Sequence, residues 1–158
     1  MPTASSRAPL RIRALTARDV DVVAGFNVAM ARETESLALD PELVRRGVRA
    51  MIEDPTKGQY RLAELAGRVV GQLMITLEWS DWRCGWWWWI QSVYIAPEAR
   101  RLGVYRALYE SVIADAKARG DVRGVRLYVE QENHRAQATY ASLGMKRGKY
   151  VFFETTHE

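Results

Sequence analysis

Arg100 and Arg101, followed by Leu102 and Gly103 where a helical pattern begins, are the residues of this chain best suited to hold an anion. The first turn of a helix offers backbone N–H groups without intrahelical partners at the positive end of the helix dipole. Gly103 has no Cβ to keep a ligand from the backbone, and guanidinium groups suit phosphate oxygens. The carboxylate best placed to move a proton is Glu78, on the polar face at the end of a strand. Burial among Trp79, Trp82 and the run Trp86 to Trp89 would disfavour its charged form and suit it to act as a base. A solvated strand-end glutamate is the alternative. Glu33 and Glu35 either bind a cationic substrate or lie in a solvated loop. Indole faces attract ammonium groups, but alternation sends Trp86 and Trp88 to one face and Trp87 and Trp89 to the other, so only some can line a pocket. Cys84 has no histidine in a related motif and reads as an inert thiol.

These residues need a scaffold, and 158 residues suffice for one domain with a substantial core. Hydrophobic residues at 48% and charged residues at 27% describe a globular chain rather than a disordered one. One cysteine excludes an internal disulfide framework, and with two isolated histidines it offers no recognisable zinc site, so no metal is expected. No apolar run suggests a signal peptide or a membrane span, and the expected compartment is the reducing cytosol, hence a cytoplasmic protein without a membrane partner. The net charge of +4 suits an anionic ligand. It would also suit nucleic acid, but the basic residues are scattered.

Residues 1–9 read as a flexible leader and residues 10–158 as the folded domain. Leu10 to Leu15 alternates as a strand, and Thr16 caps a helix that runs to about Arg32. A less regular stretch holds Glu33 and Glu35, and Asp40 with Pro41 opens a second helix. Tyr60 to Leu65 and Arg68 to Leu77 are strands joined by a tight turn at Ala66 and Gly67. In the second, Val69, Gly71, Leu73, Ile75 and Leu77 share a core face, while Gln72, Thr76 and Glu78 face water. Trp79 to Gly85 form a turn, and the run from Trp86 to Ile95, bulky on both faces, is the central strand. A helix from Leu102 ends at Gly120, and a strand over Val125 to Val129 lies parallel to the central one. Asn133 caps a last helix ended by Gly144, and Tyr150 to Phe153 closes the sheet. The result is an α/β mixed sheet of order β-α-α-β-β-β-α-β-α-β with helices on both faces.

Neither G-x-x-x-x-G-K-[ST] nor a G-x-G-x-x-G after a strand occurs, which removes the main support for nucleotide hydrolysis or dinucleotide binding. The six residues Arg100, Arg101, Leu102, Gly103, Val104 and Tyr105 resemble the acyl-CoA-binding signature [Q/R]-x-x-G-x-[G/A] of the GCN5-related N-acetyltransferases. Tyr105 stands where that family usually has Gly or Ala; it either narrows the phosphate turn, shifts the cofactor, or packs its ring beside the helix start. A second segment, L-Y-V-E-Q-E-N-H-R-A-Q-A-T-Y-A-S-L-G-M from Leu127 to Met145, is similar to the same family in the expected order, as is the order of elements.

The resemblance implies direct transfer of an acetyl group from acetyl-CoA to a primary amine of a small molecule or peptide. It places the pantetheine arm along Val93, Tyr94 and Ile95 as an extra strand. The pyrophosphate would rest on the N–H groups of Leu102, Gly103 and Val104, beside Tyr105 and among Arg100, Arg101 and Arg106. Asn133 would border the cofactor, and Tyr140 would face the thioester sulfur and serve the departing thiolate. Val93 N–H is the expected oxyanion donor and Glu78 the expected base. The rivals are a non-catalytic acyl-CoA-binding module and a nucleic-acid binder stacking bases on tryptophan. The reading expects no nucleic acid partner, and the fold is compatible with a homodimer.

Overall fold

The computed structural model describes residues 9–157, so residues 1–8 of the expected leader lie outside the described residues. Two compact units divide the chain after Tyr128, and each is taken by itself.

The first unit holds the sheet. Its strands are β1 (Leu10–Ala14), β2 (Gln59–Leu65), β3 (Arg68–Ser80), β4 (Gly85–Ile95) and β5 (Val122–Arg126), and its helices α1 (Val20–Glu35), α2 (Pro41–Glu53) and α3 (Val104–Arg119). Strand order follows chain order, with antiparallel pairs from β1 to β4 and a parallel β4–β5 pair. Parallel pairing needs a crossover, and α3 supplies it.

Two apolar clusters fix the layers. Val104, Leu108, Val112 and Ala116 of α3 pack with Ala63, Leu73, Ile75, Trp88 and Ile90 on one face of the sheet. Val20 and Val23 of α1 and Val48 of α2 pack with Tyr60 and Leu62 on the other. Helices therefore cover both faces, as the sequence predicts. The start of α1 is tied to the first two strands by Arg13, which bonds Asp19 at 2.8 Å and Glu64 at 2.7 Å. That guanidinium holds the Asp19 carboxyl down at about 2.

Several expected boundaries move, each for a physical reason. The first helix continues to Glu35, so Glu33 and Glu35 are helical rather than in a loop. β3 runs on to Ser80 because Thr76 to Ser80 still pair with β4, which puts Trp79 in a strand, not a turn. A bulge between Ala63 and Glu64 shifts the register, so Val69 joins the α1 side instead of sharing a face with Leu73. Gln72, expected to face water, is fully buried because α1 covers that side. The third helix starts at Val104, not Leu102, since Arg101 and Gly103 are left-handed. β5 is Val122–Arg126, so Leu127 to Val129 fall beyond it.

The second unit contains α4 (His134–Ser142), capped by Asn133, whose Oδ1 accepts from Ala136 N–H at 3.1 Å. The expected closing strand at Tyr150 to Phe153 is not formed: no ladder includes these residues, and they are exposed. Aromatic and β-branched composition marks a strand only where a neighbouring edge takes up its backbone groups. No described helix is long and apolar enough to cross a membrane, and no metal-binding group of His, Cys, Asp or Glu occurs among the described residues.

Candidate functional site

The loop from β4 to α3 has an unusual backbone. Pro97–Ala99 make a short 3-10 turn, then Arg101 at φ 65° and Gly103 at φ 79° bracket Leu102 in the left-handed region. Arginine in that region costs roughly 1–2 kcal/mol. Alternating left-handed residues turn successive N–H groups toward a common concavity, and such nests bind anions. The helix bond from Ala107 N–H to Gly103 O spans 3.0 Å, and the first-turn N–H groups of Val104 and Arg106 precede the regular ladder. The helix-start donors therefore begin at Val104, later than the sequence predicts. Space above Gly103 is open, with no atom within 4 Å of where a Cβ would stand.

The three arginines fare differently. Arg100 is engaged inside the fold: its Nε donates to Ile95 O at 3.0 Å, its Nη2 reaches Glu33 at 2.8 Å, and its guanidinium lies over the Tyr94 ring at 5.6 Å. Arg101 is exposed at the mouth of the loop. Arg106 approaches Glu110 at 3.8 Å, a surface pair that water screens. Neither Glu33 nor its helix figures among the expected phosphate ligands, yet Glu33 holds the first arginine of the signature.

β4 changes character along its length. Trp86 to Trp89 pair with β5, but that ladder stops at Trp89 with Arg126, while β4 continues to Ile95. The register with β3 shifts between Gln72 and Met74, and there Ser92 has φ 50°. Ser92 is thus the extra residue of a β-bulge. Beyond it, Ala96 N–H donates to Val70 O at 2.9 Å, toward β3. Alternation then turns the Val93 and Ile95 amides the other way, to the side that β5 has left. Tyr94 points its side chain to α1, stacking on Phe26 at 5.0 Å and donating to Glu33 at 3.1 Å. Burial, reinforced by the Glu33 carboxylate, pushes the Tyr94 hydroxyl pKa up. Only the backbone of Tyr94 is left for a cofactor.

Glu78 is not enclosed by indoles. Its side chain is about half exposed, accepts from Trp89 Nε1 at 2.5 Å and lies 3.7 Å from Arg126. Trp79 and Trp82 beside it are themselves exposed. The aromatic cage is filled from within: Arg126 stacks on Trp87 at 3.6 Å, with Arg83 at 5.4 Å from the same ring. Trp87 also lies on Gly124, where any Cβ would come within 2.3 Å of the ring. Alternation predicts two faces without saying which is core, and the structure buries Trp88. Cys84 is a free, exposed thiol.

In the second unit, Asn133 spends its side chain on the α4 cap. Tyr140 is half-buried on α4, and burial pushes its hydroxyl pKa up.

Residues 28–145 match the family model described as the acetyltransferase (GNAT) family. A possible acetyltransferase from Clostridium difficile 630 shares 40% identity over 94% of this chain and 98% of its own, with a TM-score of 0.89. A predicted acetyltransferase from Clostridium acetobutylicum, solved with acetyl-CoA, has the same fold at 12% identity and TM-score 0.75, covering 93% of this chain and 96% of its own. Glucosamine-6-phosphate N-acetyltransferase from Arabidopsis thaliana has it at 18% identity and TM-score 0.70, covering 94% and 99%. Among curated proteins, none matches.

Proposed function

The chain belongs to the GNAT family of acetyltransferases, and from that premise we propose that it moves an acetyl group from acetyl-CoA directly to a primary amine of a small molecule or peptide. The observation that carries this reading is the pairing of two features on one strand. β4 loses its β5 neighbour after Trp89, and the loop that follows it ends in the left-handed, open Gly103 at the start of a 16-residue helix. An extended thioester arm can add to the free edge as a strand would. The attached diphosphate then meets the α3 N–H groups, and Arg101 with Arg106 adds charge. The left-handed turn and the empty volume over Gly103 fit such a group.

In this reading the Val93 N–H, turned to the free edge, donates to the thioester carbonyl and then to the oxyanion that develops as the amine attacks. An amine needs no enzyme nucleophile, only loss of a proton and a stabilised oxyanion. Glu78 does not reach that proton directly: it stands opposite Trp87, well along β4 from Val93, roughly 17–20 Å at the usual strand rise, and Trp89 Nε1 occupies one of its oxygens, so the proton leaves through solvent. The family resemblance alone assigns Tyr140 to the departing thiolate; burial raises its hydroxyl pKa, so the phenol is protonated at neutral pH. Arg100 supports the loop through Glu33 and Ile95 rather than meeting phosphate directly.

Calorimetric titration with acetyl-CoA and CoA tests the cofactor step, and thiol release from acetyl-CoA across a panel of primary amines tests the chemistry. Binding with amine-dependent thiol release is expected. Binding without release for any amine would replace the enzyme with an acyl-CoA-binding module, and absence of binding in folded protein would end both readings.

A further inference from the structure

The side of the sheet under α1 contains a buried polar group that neither the core nor the transfer step requires. Gln72 is completely buried in the middle of β3, with Tyr60 at 4% and Asn27 at 9% exposure. Gln72 Nε2 donates to Asn27 Oδ1 at 2.7 Å and to Ser92 O at 3.2 Å, and Asn27 Nδ2 donates to the Tyr60 hydroxyl at 2.9 Å. Burial pushes the Tyr60 hydroxyl pKa up, so it remains a neutral phenol. Gln72 Oε1 is buried without a hydrogen-bond partner. An amide left half-satisfied costs stability, and an apolar side chain of similar size would fill this place at lower cost.

What the amide obtains in exchange is Ser92 O. Among the described residues, Ser92 is the one position inside a strand with a left-handed φ, and it is where the β3–β4 register changes. A bulge takes the extra residue out of the ladder. Gln72 Nε2, reaching across from β3, supplies a donor to the Ser92 carbonyl, and Asn27 on α1 holds Gln72 in place. The next residue in the chain is Val93, whose N–H direction depends on the rotation at Ser92.

We infer that Gln72, held by Asn27 and Tyr60, is a positioning residue that fixes the β4 bulge and thereby aims the Val93 N–H at the acetyl carbonyl. This rests on the proposed role of Val93. Gln72 touches no reacting atom. A merely structural glutamine would lower stability alone, whereas a positioning one alters how well the protein tells acetyl-CoA from CoA, because only the former carries the carbonyl.

The test uses the full chain and two readouts on Gln72→Leu, with Leu62→Ala from the same α1-side core as a control for lost stability. Backbone hydrogen exchange without ligand should be faster at Ala96, whose N–H bonds Val70 O just beyond the bulge, and unchanged at Ile75. The calorimetric preference for acetyl-CoA over CoA should fall by about threefold to tenfold, the size of one hydrogen bond, with the CoA affinity retained. Leu62→Ala should change neither. Asn27→Ala, which loosens Gln72 without touching β3, should move both readouts in the same direction and serves if Gln72→Leu does not fold. Unchanged exchange at Ala96 together with an unchanged preference overturns the inference. If wild type binds neither nucleotide, the acetyltransferase reading fails, and exchange at Ala96 still decides whether Gln72 fixes the bulge.

Discussion

β4 is one strand with two lives. From Trp86 to Trp89 it is hydrogen-bonded on both edges and packs Trp88 at 2% exposure into the α3 cluster. From Ser92 to Ile95 it keeps β3 but has left β5 behind, and it begins with a bulge. The first half has a neighbouring strand on each edge and one of its four indoles, Trp88, fully in the core, so it serves stability. The second half has backbone groups to spare and smaller side chains, Ser92 and Val93, so a ligand can use them. A site of this kind comes from withholding a partner strand, not from concentrating reactive side chains.

The contrast can be broken most directly at Trp88. Trp88→Ala should cost about 3–5 kcal/mol of stability by emptying the centre of the paired half, seen as a lowered urea midpoint. If the acetyl-CoA affinity of the folded fraction fell in proportion, the two halves would not be separable. At the open end, Gly103→Glu should reverse the pattern. It forces a side chain into φ 79°, costing about 1–2 kcal/mol, but places a carboxylate where phosphate would rest, so acetyl-CoA binding should drop by about a hundredfold or more in calorimetry. Retained binding would move the cofactor elsewhere.

Asp19 sharpens the comparison through pH. Its folded carboxyl sits at about 2, below the usual carboxylate range, chiefly through Arg13. A depressed carboxyl adds stability that is present above the unfolded pKa and lost as pH falls toward the folded one. Wild type should therefore lose stability between about pH 4 and 2, with Asp19→Asn lacking that part of the loss and being about 1–3 kcal/mol less stable at neutral pH. Acid titration followed by circular dichroism checks it, and equal slopes in the two proteins would refute the ion pair's role. The smallest effect belongs to the hairpin tip. Trp82, at 87% exposure, should tolerate Ala within about 0.5 kcal/mol; a larger loss of melting temperature would reveal a role for the tip that its exposure does not suggest.

Much of this was legible in the residues alone. The strand, basic loop and helix around Arg100 to Gly103 were readable because Gly and Pro punctuate local structure strongly. The order of the first four strands and of the helices α1 to α3 could be read for the same local reason. The bulges were not legible. Val69 and Gln72 look like members of a simple alternation, and nothing in Ser92 announces a left-handed residue. Glu33 looked like a loop acid, and Tyr150 to Phe153 looked like a strand, because composition speaks to propensity and not to whether an edge is there to pair with.

By itself the sequence determined the parallel crossover through α3 and the alternation that sends Trp86 and Trp88 to one face and Trp87 and Trp89 to the other, both of which follow from spacing within one or two elements. Only the tertiary structure decided that Arg100 is held by Glu33, 67 residues away, and that Gln72 is locked between Asn27, 45 residues earlier, and Ser92, 20 residues later. Those partners are chosen by the layering of α1 over the sheet. A side chain's pattern in its own strand states which face it takes, but the identity of what covers that face is set by the packing of segments the pattern does not contain.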